Sequence, residues 1–119
     1  LKDYIKESGF SDRFIFTGYR NNAPEYYNAV DIAIHGSIED EAFGRVIIES
    51  WAAHKPVIAT DIDASVELID QDKTGIIVPV GDIDKLALAI KRLTINPIER
   101  NMLAENGFKQ INEAFSSFT

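Results

Sequence analysis

Short apolar runs punctuate the chain: RFIFTG at 13–18, DIAIHGS at 31–37, PVIAT at 56–60 and TGIIVPV at 74–80. Each is bounded by glycine, proline or acidic residues and reads as a strand. Between them the apolar period lengthens to three and four. Leu1, Tyr4 and Ile5 share one face of an opening helix that Gly9 closes. A second helix starts at Pro24 and turns Tyr26, Tyr27 and Val30 to one side. FGRVIIESWAAHK (43–55) is a third, stopped by Pro56. DIDASVELID holds one or two helical turns. Ile83, Leu86, Ile90 and Leu93 then line an amphipathic helix with Asp82 as its N-cap. Asn96, Pro97 and Glu99 form a capping box for a last helix that runs to about Phe115, with an interruption expected near Gly107.

Strands alternating with helices build β-α-β units. The expected class is therefore α/β, a parallel sheet with helices on both faces. Ligands of such sheets bind beyond the carboxyl ends of the strands. The loops that matter are 18–24, 35–43, 60–65 and 80–82.

Composition narrows the choices. The chain has 119 residues, one domain's worth, and should bury roughly 65% of its unfolded surface. A net charge of −7 argues against partners that are themselves polyanionic, such as nucleic acid or an anionic membrane. There is no cysteine, so neither a disulfide framework nor a thiolate metal site can form. His35 and His54 are too isolated to suggest zinc, and no metal site is expected. No apolar run approaches the ~18 residues of a membrane helix. Leu1 already stands in what reads as the middle of a helix, so the chain is expected to be part of something longer.

The helix 43–55 and the loop before it carry the candidate chemistry. The first turn of that helix has unpaired N–H groups and the positive end of a dipole, a seat for phosphate. Gly44 would let a ligand approach the backbone closely. At ~100° per residue, Glu49 projects about 240° from Phe43, whereas Ile47 and Trp51 fall on the opposite side. A carboxylate there suits a vicinal diol such as ribose, because it only accepts and has two oxygens. A plainer reading stands beside this one. Arg45 and Glu49 make an i, i+4 surface ion pair, and Glu41 is an acid placed before a helix start. Glu39, Asp40 and Glu41 also weigh against phosphate unless cations come from elsewhere.

The order of motifs favours the first reading. FTG (16–18), YYNAVDIAIHGS, EAFGRVIIE (41–49), KPVIATD (55–61), ELI (67–69), TGIIVPVGD (74–82) and a closing LALAI helix follow one another. This series resembles the C-terminal lobe of retaining glycosyltransferases of the GT-B fold, family 4. The resemblance implies a Rossmann-like sheet forming one incomplete lobe of a two-lobed enzyme. Residues 1–119 would be a nucleotide-sugar (donor) binding domain, incomplete at its N-terminus, with the acceptor lobe absent. It further implies transfer from a UDP- or GDP-sugar with retention of anomeric configuration, without metal or other cofactor. Glu41 would contact the donor sugar and serve catalysis by orienting it. Phe43, Gly44 and Arg45 would lie at the sugar–diphosphate junction, and Glu49 would hold the ribose. The fragment alone is expected to be inactive. Its setting would be cytoplasmic, any contact with the inner face of a membrane being made through the missing lobe. Ala42 departs from the family's usual glycine. Gly36-Ser37 stands where Pro-Ser is common, and Asp61-Ile62-Asp63 where a Gly-rich turn is.

Other residues read more plainly. Trp51 belongs to the core stripe, and Tyr26 and Tyr27 pack and hydrogen-bond locally. Tyr19 and Arg20 are a solvated loop or a nucleobase contact. The alternative function is a flavodoxin-like receiver-type signalling module phosphorylated on Asp61 or Asp63. Such a module also needs an acidic pair after its first strand and a lysine after its last, and RFIFTG-YR and GIIVPV-GD supply neither.

Overall fold

The computed structural model describes residues 2–17, 23–36 and 44–116. The elements are α1 (Lys2–Ser8), a 3-10 turn (Ser11–Arg13), α2 (Ala23–Ala29), β1 (Ala33–His35), α3 (Arg45–Ala52) and β2 (Val57–Thr60). They continue with α4 (Asp63–Leu68), β3 (Ile76–Val78), α5 (Ile83–Ile95) and α6 (Pro97–Ser116). The strands form a parallel sheet in the order β1-β2-β3, with Ala33 opposite Val57 and Ile58 opposite Ile76.

All four residues of β2 are buried, which marks it as the central strand of a sheet covered twice. Its alternation divides the core. Val57 and Ala59 join Ile47 and Trp51 of α3 and Ile111 of α6 on one face. Ile58 joins Ile76, Val78, Ala89, Leu93 and Leu103 on the other. The expected two-faced α/β architecture is present. The outer edge of β3 is closed by a side chain: the Gln71 amide accepts from Ile77 N–H (2.7 Å) and donates to Ile77 C=O (3.1 Å). Gln71 thus takes the place of a further strand.

Several expectations need correction. Residues 13–17 do not join the sheet. They begin in the 3-10 turn and continue as extended chain with Phe14, Ile15 and Phe16 exposed by 51, 88 and 48%. An apolar run makes a strand only where a neighbour supplies ladder bonds, and none reaches it among the described residues. The long helix α6 runs through Gly107 without interruption. Asn96 caps it, accepting from Glu99 N–H at 3.1 Å, but the reciprocal half of the capping box does not form. Glu99 is instead taken by the Arg92 guanidinium, which also reaches Asp72 at 3.1 Å. Those two carboxylates, the Glu99 bond foremost, hold the Arg92 pKa above its ordinary value. Asp82 caps α5 as expected, accepting from Lys85 N–H at 3.0 Å. Among the described residues no helix is long and apolar enough to cross a membrane.

Candidate functional site

Helix α3 is entered through Gly44, whose backbone is left-handed (φ 54°, ψ 43°). Its carbonyl accepts from Ile47 and Ile48 N–H at 3.0 and 3.2 Å, so Gly44 is the N-cap and not a residue of the first turn. A Cβ at this position would lie 2.7 Å from Leu68 Cδ1 and 3.4 Å from Ala64 Cβ. The need for glycine thus comes from its own dihedrals and from α4 packed beneath it, before any ligand is considered. Gly44→Ala is expected to cost about 2–4 kcal/mol, left-handed strain and overpacking together. An unchanged midpoint in thermal unfolding would contradict this.

The helix then sorts its side chains as the ~100° rotation requires. Ile47 and Trp51 are fully buried, and Trp51 donates its indole N–H to Thr74 C=O at 2.9 Å. Core packing is therefore the role of Trp51. Glu49 stands off that stripe with its side chain 31% exposed. Its Oε1 lies 3.4 Å from Arg45 Nη2, so the expected i, i+4 pair is present, on an Arg45 side chain that is 83% exposed. Such a pair contributes only ~0.3–0.5 kcal/mol.

A second neighbour of Glu49 comes from α2, far away in the sequence. Tyr27 of α2 stands near enough for the Glu49 carboxylate to act on its phenol. The Tyr27 ring packs against the α3 face of the core. Burial first, then the nearby negative charge of Glu49, push the Tyr27 phenol up to about 12 from 10, against an opposing influence of Arg45. The folded chain therefore holds this proton more tightly than the unfolded chain does. Stability linked to it is intact below pH 10 and is lost as pH rises toward 12. An ultraviolet titration should show a phenol ionising near pH 12 that disappears in Tyr27→Phe. Ionisation of the same group near 10 would contradict the contact.

Glu49, Ala52 and Ala53 of α3 share a surface pocket of about 220 Å³ with Asn28 at the end of α2. A separate pocket of about 190 Å³ lies at the carboxyl ends of the strands, lined by Gly36, Thr60, Val78 and Asp82 among others. That is where an open parallel sheet receives ligands. His35 is buried at the end of β1, and its carbonyl accepts from the Thr60 hydroxyl at 3.4 Å. Asp61 and Asp63 are exposed, and Asp61 N–H donates to Val78 C=O at 2.8 Å, continuing the ladder past β2. Glu41 and Phe43, with Tyr19 and Arg20, lie outside the described residues. Of the candidate site residues the structure thus brings Gly44, Arg45 and Glu49 together on one helix and adds Tyr27.

A family model, Glycosyl transferases group 1, matches residues 1–110. The lipopolysaccharide core biosynthesis glycosyltransferase LpsD of Rhizobium meliloti is 33% identical over 116 residues, 98% of this chain and 34% of that protein. The alpha-D-kanosaminyltransferase of Streptomyces kanamyceticus is 31% identical over 89% of this chain and 28% of its own length. Among solved structures, HepE of Anabaena in complex with UDP-glucose superimposes with a TM-score of 0.85 at 28% identity. That likeness covers 97% of this chain and 35% of HepE. The chain spans about a third of the length of the curated relatives it matches. Nothing in these likenesses supports the receiver-type alternative.

Proposed function

The chain belongs to the glycosyl transferases group 1 family, and from that membership we propose that it is the nucleotide-sugar-binding lobe of a GT-B-fold enzyme. The reaction is transfer of a sugar from a nucleoside diphosphate to an acceptor held by another lobe, with retention of anomeric configuration. The setting is cytoplasmic. The relatives' lengths are consistent with a further lobe, and the 119 residues alone bind nucleotide weakly and transfer nothing.

The observation that carries this reading is Glu49, a carboxylate turned off the apolar stripe of α3 and held at a pocket rim. In the family's pattern this second glutamate accepts from the two ribose hydroxyls, and the first, Glu41, orients the donor sugar. HepE, similar over nearly the whole chain, is solved with UDP and with UDP-glucose, which favours a uridine or similarly built donor. Arg45 lies one residue past the N-cap, where its charge meets a diphosphate arriving at the helix start.

Ligand-observed NMR against UDP-, GDP- and ADP-sugars tests the assignment. Glu49→Ala should weaken every nucleotide about tenfold or more, since hydrogen bonds to a charged group contribute ~1.5–3 kcal/mol. Equal affinity of the two proteins would return Glu49 to the role of a surface ion-pair partner.

A further inference from the structure

Helix α5 is amphipathic, yet its outer face is not uniformly polar. Ala89 and Leu93 are buried against the Ile58 face of the sheet, with Leu86 and Ile90 packed beside them. At ~100° per residue the opposite side is a stripe of Asp84, Leu88, Lys91 and Ile95, all within about 60° of one another. Leu88 is 66% exposed and Ile95 71%. A single exposed apolar residue is ordinary. These two share the four-three-four spacing of a helix–helix seam, with one acid and one base completing it. Asp84 and Lys91 stand two turns apart, roughly 10 Å along the axis, beyond the i, i+4 spacing that pairs charges within a helix. Among the described residues neither enters an ion pair.

We infer that the outer face of α5 docks a second copy of this chain, the two helices lying antiparallel about a two-fold axis between Ala87 and Leu88. That axis sets Asp84 opposite Lys91 of the partner subunit and, by symmetry, Lys91 opposite the partner subunit's Asp84. Leu88 packs on Leu88 of the partner subunit. Ile95 reaches the turn that opens the partner's helix, where a surface pocket of about 590 Å³ is lined by Val80 and Ile83 among others. Charge fixes the direction: a parallel pair in register would set acid against acid and base against base. An anionic membrane suits the face less well, because the chain carries a net charge of −7. One short helix per copy makes a small interface, so the dimer is weak and forms at high concentration.

Sedimentation equilibrium of the full chain at low salt, from about 10 μM to about 1 mM, reads the association constant. The mass should rise from that of a monomer toward that of a dimer. Asp84→Lys alone, or Lys91→Asp alone, puts like charges face to face at two symmetric places and should weaken association about tenfold. The two together should restore it to within about threefold of wild type, because the pairs re-form with their signs exchanged. Leu88→Glu should abolish association. All three side chains are exposed, so thermal unfolding should show each variant folded. A chain that stays monomeric throughout overturns the proposal. So does association that the single reversals leave unchanged, or that the double exchange fails to restore. Capture by vesicles of anionic lipid without self-association would give the face to a membrane instead, and overturns it equally.

Discussion

Trp51→Ala is expected to remove about 3–5 kcal/mol of stability, the range for emptying a buried aromatic site. The indole is fully buried between α3, the sheet and α6, and it donates to Thr74 C=O at 2.9 Å. Truncation opens a cavity and also leaves that buried carbonyl without its donor. Neighbouring bonds cannot compensate. The Thr74 hydroxyl already serves Asp70 N–H, and Asn106 of α6 is engaged with Lys73 C=O at 2.9 Å. Against a typical total of 5–15 kcal/mol this is a large loss. Thermal or denaturant unfolding reads it directly, and a loss below about 1 kcal/mol would show that the indole is not the keystone of the α3 face.

Gly107→Ala is expected to destabilise as well, against the sign that helix propensity gives. In an exposed helix interior alanine is better than glycine by about 1 kcal/mol. Here a Cβ would fall inside the Trp51 indole, overlapping its Cδ1, Nε1 and Cγ atoms. Neither partner can step aside, because Trp51 is pinned by its bond to Thr74 and α6 by its Gln110 bond to Leu68 C=O at 2.9 Å. Overpacking of this kind costs about 1–3 kcal/mol, occasionally more. The two substitutions should be strongly non-additive. Gly107→Ala introduced into the Trp51→Ala protein places its methyl in the space the indole vacates, so it should cost little or even stabilise. Additive losses in unfolding measurements would mean that the two residues do not meet.

These contacts mark the boundary of what the sequence made legible. Element types came through wherever the pattern is carried by the element itself. The Leu86-Ile90-Leu93 spacing, the Asp82 cap and the buried PVIAT strand are of that sort, whereas Ile83 of the same series stays 78% exposed. What failed depends on partners far away in the chain. Gly107 looked like a helix breaker because its reason for being small is a tryptophan 56 positions earlier, on another helix. Glu99 looked like half of a capping box because the arginine that takes it belongs to the preceding helix. Phe14, Ile15 and Phe16 form a short apolar run as a buried strand would, yet strand pairing needs a neighbour that local pattern cannot supply. The end of α3 was legible only in part. Pro56 gave the stop, but the closing bonds run from His54 N–H to Trp51 C=O and from Lys55 N–H to Ser50 C=O. This Schellman motif has His54, not glycine, in the left-handed position (φ 58°), its ring stacked on Phe108.

The site divides in the same way. Helix rotation alone placed Glu49 off the apolar stripe, and the Arg45 pair followed from i, i+4 spacing. Gly44 was noticed for close ligand approach, and its left-handed backbone above α4 is a separate reason for glycine there. Tyr27 was read as packing and hydrogen-bonding locally. Its nearness to Glu49 joins helices 22 positions apart, which no periodicity reports.

The most direct test is a crystal structure of the protein with UDP bound. Both ribose oxygens, O2′ and O3′, should lie about 2.6–3.2 Å from the Glu49 carboxylate, with the diphosphate toward Gly44 and Arg45. A nucleotide bound with its ribose turned away from α3, and Glu49 still paired with Arg45, would contradict the account.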